Sequence, residues 1–142
     1  MWDILQTAKV ARLATSDQDH PHLVPVVFVF DGCHIYIPID EKKKKTHLPE
    51  ELKRIKNIRK NPNVAFLIDR YDDDWTKLYF LMIIGKASIL PIESCRKAID
   101  KLVAKYPQYQ TINYGSICIK IKPEKITFWQ NLQETSPSHH RP

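Results

Sequence analysis

Residues able to do chemistry concentrate between Asp40 and Asp74, in the stretch DEKKKKTHLPEELKRIKNIRKNPNVAFLIDRYDDD. Four consecutive lysines, Lys42 to Lys45, precede a basic segment that holds Lys53, Arg54, Lys56, Arg59 and Lys60. Arginine forks and lysine point charges match phosphate oxygens through charge-assisted hydrogen bonds, roughly twice as strong as neutral ones. A phosphorylated ligand held against a sheet is the sharp reading of this pattern. A solvated turn followed by a wet helix face is the bland one, because charge runs are usually exposed. Nucleic acid fits poorly: single-strand binders interleave aromatic platforms with their cations, and residues 42–60 contain no Phe, Tyr or Trp.

Other candidates are weaker. His20 and His22 would share one face of a strand at metal-ligand spacing, but no third ligand has clear spacing nearby, so they read as surface or interface histidines and no metal is expected. Cys33 and His34 are adjacent, and adjacent strand residues point to opposite faces, which argues against a nucleophile and base. Asp72, Asp73 and Asp74 with Trp75 read as a solvated acidic loop. Three scattered cysteines, Cys33, Cys95 and Cys118, form no CxxC pair and read as reduced thiols.

The elements that must position these groups follow from hydrophobic spacing. Val10 to Thr15 predicts a strand, and Ser16 to Asp19 a turn. His22 to Phe30 predicts a second strand in which Pro25, lacking an amide donor, needs an edge, a bulge or a ligand-facing break. Asp31-Gly32 predicts a hairpin into Cys33 to Ile39. Pro49 with Glu50 and Glu51 predicts a helix start, with Leu48, Leu52 and Ile55 on the packed side, Lys53, Lys56 and Lys60 on another, and the Arg59 stem part buried. Asn63 to Arg70 and Thr76 to Leu90 predict two more strands, and Ile92 to Tyr106 a helix ended by Pro107. Ser116 to Lys122 and Ile126 to Trp129 predict a closing hairpin around Pro123-Glu124.

The totals set the limits. The 142 residues suit one domain, with 43% apolar and 27% charged residues, and the +6 charge favours acidic partners. No apolar run reaches the roughly 20 residues of a membrane helix, and the N-terminus has no secretory pattern, so a cytoplasmic protein is expected. Hairpins outnumber helical crossovers, which predicts an antiparallel α+β barrel rather than a doubly wound sheet.

Taken in order, LAT followed by PHLVPVVF, the turn residues Asp40, Lys42 and Lys44, and LKRIKNIRKNPNV with the later YDDDW resemble the pyridoxamine 5'-phosphate oxidase-like FMN-binding split barrels. Within them the chain is most similar to the flavin/deazaflavin oxidoreductase branch of probable coenzyme F420-dependent enzymes. The resemblance runs from about Val10 to Tyr109 and more weakly to Trp129. It implies a mostly antiparallel, six-stranded split β-barrel with two or three helices; residues 1–135 are expected as one such domain, and the tail SPSHHRP, 136–142, reads as disordered. It also implies a homodimer whose interface groove binds deazaflavin F420, or FMN as the alternative. Lys42, Lys44 and Thr46 of the turn and Arg54, Lys56 and Asn57 of the helix would hold the phosphate end, and the backbone at Pro25, Val26 and Val27 would border the ring.

The implied activity is an oxidoreductase passing hydride to or from a small organic substrate, with the ring supplying the chemistry. No catalytic residue is named, the proton coming from solvent or Tyr79. Trp75, Tyr79 and Met82 are the substrate-groove candidates. A carrier or sensor using the same groove without turnover is the alternative, and a nucleic-acid module the less favoured one. The chain departs from the branch at Lys43, where proline is usual, and at Met82, where arginine is usual. It lacks the Arg-Gln pattern of true pyridoxamine phosphate oxidases, which disfavours vitamin B6 oxidation.

Overall fold

The computed structural model describes residues 1–40 and 52–131. The chain runs α1 (Trp2–Thr7), β1 (Ala11–Asp17), β2 (His20–Val26), β3 (Val29–Phe30), β4 (Ile35–Pro38), α2 (Lys53–Lys60), β5 (Asn63–Arg70), β6 (Tyr79–Pro91), α3 (Arg96–Lys105) and β7 (Ile117–Gln130). Single 3-10 turns lie at Trp75–Lys77, Ile92–Cys95 and Pro107–Gln110. Seven strands, one more than expected, pair antiparallel in the order β2-β1-β5-β6-β7-β4-β3. The run expected as one strand from His22 to Phe30 is two, broken at Val27 and Phe28, while the two strands expected from Ser116 to Trp129 are one.

That break shapes the molecule. β2 and β3 form the two edges of the sheet, yet only Val27 and Phe28 separate them in the chain. Three Cα steps of 3.8 Å span at most about 11 Å, so the sheet must curl until its opposite edges approach at this corner. Pro25 sits in an edge strand opposite Arg12, where a missing amide donor costs no ladder bond. Inside the curl lie Leu5, Leu13, Phe28, Phe66, Ile83 and Ile119, all fully buried, with Phe28 and Phe66 edge to face at 5.0 Å. A second cluster, including Val29, Ile99, Leu102 and Cys118, holds α3 against the sheet.

Helix α2 begins at Lys53, after extended Leu52; the expected start at Pro49 lies outside the described residues. Ile55 and Ile58 are buried, worth about 1.5–3 kcal/mol each by area. Lys53, Lys56 and Lys60 are exposed as expected, but so is Arg59, whose stem was expected to be part buried. At the β3–β4 hairpin, Cys33 and His34 belong to the turn rather than the strand, and their amides donate to Asp31 Oδ1 at 2.8 and 2.7 Å. Cys95 and Cys118 are reduced and buried with their sulfurs 2.8 Å apart, a contact that residue spacing could not reveal.

The closing hairpin is not formed. β7 is one 14-residue strand paired along β6, with a register shift at Ile84/Gly85 that leaves Glu124 as the extra residue. Pro123 mimicked a turn signal because it sits at this bulge, where the ladder is already interrupted. Gly85 is opposite Pro123, and a Cβ there would fall on the carbonyl oxygen of Lys122. Gly85→Ala is therefore expected to destabilise the fold by about 1–3 kcal/mol, read from the urea midpoint at unchanged slope.

Candidate functional site

The corner between the sheet edges opens onto a groove of about 250 Å³ bounded by Val10, Pro25, Val26, Val27, Pro38, Asp40 and Arg54. Its wall is apolar because Pro25, Val26 and Val27 line it where the edge strand β2 ends at Val26, while β4 brings Pro38 to the same place. Its polar end holds Arg54, from the first turn of α2, and Asp40, just after β4. Burial pulls the Arg54 guanidinium below its usual range, and the Asp40 charge opposes that shift. Arg54 Nε is buried and makes no hydrogen bond among the described residues. An arginine stays charged under such conditions, so this N–H is a donor without an acceptor. A phosphate or carboxylate oxygen is the kind of group that would satisfy it.

The carboxylate wall is held from behind. Tyr109, in the 3-10 turn after α3, donates from its hydroxyl to Asp40 Oδ1 at 2.7 Å. Burial first, then this bond to a carboxylate, pushes the Tyr109 phenol well above its ordinary value. One turn earlier, Tyr106 Oη donates to the Lys9 carbonyl at 2.9 Å and accepts the Phe28 amide at 3.2 Å. Tyr109 thus holds a groove residue directly, and Tyr106 holds the chain neighbours of two others, Val10 and Val27.

Of the residues expected at a cofactor site, the structure brings Pro25, Val26, Val27 and Arg54 together. It does not bring Lys56 or Asn57 to them. Two helical steps turn Lys56 about 200° from Arg54, and it is exposed on another face. Asn57 is buried at 1% exposure and donates from Nδ2 to Thr15 Oγ1 at 3.0 Å, which ties α2 to β1. Lys42, Lys44 and Thr46 lie outside the described residues, as does Lys43. Trp75 is exposed on the loop before β6, and Tyr79 packs against the main core. Met82 shares a cross-strand row with Pro25, Arg12 and Leu67, three strands away from Pro25, or about 14 Å. Within one chain none of these three lines the groove. Asp40, Tyr106 and Tyr109 were not singled out as site residues by sequence. Their contacts span 69 or more positions, and no local pattern reports them.

A mostly antiparallel α+β sheet curled onto a groove that holds Arg54 and Asp40 defines the class, and the comparisons agree. The family model for pyridoxamine 5'-phosphate oxidase matches residues 1–128. General stress protein 26 of Bacillus subtilis is 37% identical over 137 residues, covering 95% of this chain and 89% of that protein. Among solved structures, a FAD-binding protein of Mesorhizobium loti superposes with TM-score 0.65 at 19% identity, covering 89% of this chain and 87% of that one. An F420 reductase gives TM-score 0.65 at 20% identity, covering 88% and 94%. The chain belongs to the pyridoxamine 5'-phosphate oxidase family. The two structures, at this identity, speak for the fold alone.

Tyr109 offers a pH test of the groove wall. Its phenol holds its proton in the folded state above the ordinary 10.0, so beyond pH 10 the unfolded chain binds fewer protons and stability falls. Tyr109→Phe is expected to cost about 1 kcal/mol near neutrality. The variant should also lose less stability than the wild type between pH 10 and 11, in paired urea titrations.

Proposed function

We infer that this protein binds a flavin-type cofactor in the groove at the sheet corner and works as an oxidoreductase, passing hydride between the ring and a small organic substrate. The observation that carries the reading is the pairing of a buried Arg54 Nε, without an acceptor among the described residues, with an apolar strand corner in one cavity. Such a cavity suits a ligand with an anionic end and a flat apolar ring, since apolar walls exclude water while few polar groups orient the ligand. When bound, the cofactor would supply the hydride chemistry. Arg54 would hold its phosphate and the Pro25–Val27 backbone would lie along the ring, with Lys42, Lys44 and Thr46 as further phosphate partners.

Deazaflavin F420 is favoured over FMN. The likeness in sequence to the deazaflavin branch and in fold to an F420 reductase supports this preference, as does the +6 charge, which suits a polyanionic ligand. The solved FAD-binding relative in fold keeps flavin as the alternative.

The outer face of the sheet supports a homodimer. Leu23, Ala14, Ala65 and Ile84 form one cross-strand row, and Pro25, Arg12, Leu67 and Met82 the next. Leu23 is 67% and Ile84 37% exposed. A second copy covering this face would bring its own residues toward Met82 and the groove edge, which fits Met82 as a substrate contact across the interface.

Titration with F420 and with FMN, read by ring fluorescence, tests the reading: micromolar binding of one is expected, and failure of both rejects it. Arg54→Ala should weaken the bound cofactor by about tenfold or more, the cost of a charged hydrogen bond. The Lys42→Ala/Lys44→Ala pair should weaken it further. Tight binding with no turnover of enones or quinones would identify a carrier instead of an enzyme.

A further inference from the structure

We propose that Lys105, which does not line the groove, is a positioning residue for it: its ammonium holds the Phe28 carbonyl and so sets the corner along which the cofactor ring would lie. The inference rests on the reading of the groove as a cofactor site. Val27 borders the groove and Phe28 is its neighbour at the break between β2 and β3. With no strand partner, the Phe28 backbone finds both its bonds on one element. Lys105 Nζ donates to the Phe28 carbonyl at 3.0 Å while Tyr106 Oη accepts the Phe28 amide at 3.2 Å. The same ammonium lies 3.8 Å from the centroid of the Phe28 ring, a cation–π contact, and 5.3 Å from that of Tyr106. Backbone and side chain of Phe28 are therefore both gripped by one charge.

The surroundings make this charge conditional. Lys105 borders a hollow of about 340 Å³ with Gln6, Val29, Lys101 and Ala104, and no carboxylate is among its described lining residues. Lys9 from the α1–β1 connection donates to the Lys105 carbonyl at 2.6 Å, Lys101 shares the hollow, and Tyr106 is a further titratable neighbour. Burial first, then the Lys9 charge, brings the Lys105 ammonium down to about 8. Above that pH the amine is neutral, its hydrogen bond to Phe28 loses charge assistance and the cation–π contact is lost. Cofactor affinity then falls as pH rises through about 8. Stability of the unliganded fold responds with the opposite sign. Between about 8 and 10.5 the unfolded chain binds more protons than the folded one at this residue, so its contribution to stability increases with pH.

Affinity for F420 and FMN is to be measured across that range, with unfolding titrations of the unliganded protein in the same buffers. The wild type is expected to weaken about tenfold across a step near pH 8, the scale of a charged hydrogen bond. Lys105→Arg, charged throughout, should keep neutral-pH affinity and lose the step. Lys105→Met, which keeps an apolar stem, should bind about tenfold more weakly at pH 7 and also lose the step. A wild-type profile that superimposes on Lys105→Arg, or Lys105→Met binding like wild type, overturns the proposal alone. A wild type that binds neither ligand overturns the groove reading together with it.

Discussion

Everything around the groove depends on how one interrupted backbone finds its hydrogen bonds. Where β2 gives way to β3, the chain passes from one edge of a seven-stranded sheet to the other, and Phe28 cannot be paired by either strand. A buried amide and carbonyl left without partners would each cost about 1–3 kcal/mol. The Tyr106 hydroxyl and the Lys105 ammonium supply them from the end of α3. The sheet can therefore curl, the edges can approach, and the apolar backbone of Pro25 to Val27 is left facing a cavity instead of another strand.

The polar end of the groove follows the same economy of supports. Helix α2 divides its labour by angle: Ile55 and Ile58 enter the core, Asn57 fixes its height against Thr15, and Arg54 is carried to the cavity. Arg54 is part buried beside the carboxylate of Asp40, which Tyr109 restrains. A burdened guanidinium of this kind gains more from an incoming anion than one already in water, because its desolvation cost has been met on folding. Among the described residues the groove thus keeps an incompletely satisfied donor.

Much of this was legible in the chain. Strand periodicity located β5 and most of β1, β4 and β6, and the Asp31-Gly32 signal located the β3–β4 turn. Pro25 announced an edge or a break and is both at an edge and beside a cavity. Arg54, Pro25, Val26 and Val27 were named as one site from family likeness, and one cavity holds all four. What failed had physical reasons. Pro123 looked like a turn residue because a bulge and a turn both tolerate a missing donor. Lys56 and Asn57 were grouped with Arg54 by position in a motif, whereas helix geometry sends the three to different environments. The supports at Lys105, Tyr106 and Tyr109 left no local trace, since each acts on a residue at least 69 positions away.

The reach of those contacts also orders the assembly of the chain. β7 is hydrogen-bonded to both β6 and β4, and the Phe28 backbone takes its hydrogen bonds from residues 105 and 106. Local hairpins such as β1–β2 and β3–β4 can form early, but linking them requires closing loops of 78 to 97 residues. Non-local topologies of this sort fold slowly, because loop closure precedes the contacts that reward it. During synthesis, then, the Phe28 backbone lacks these partners until the end of α3 has emerged, and the described sheet stays incomplete until β7 has left the ribosome.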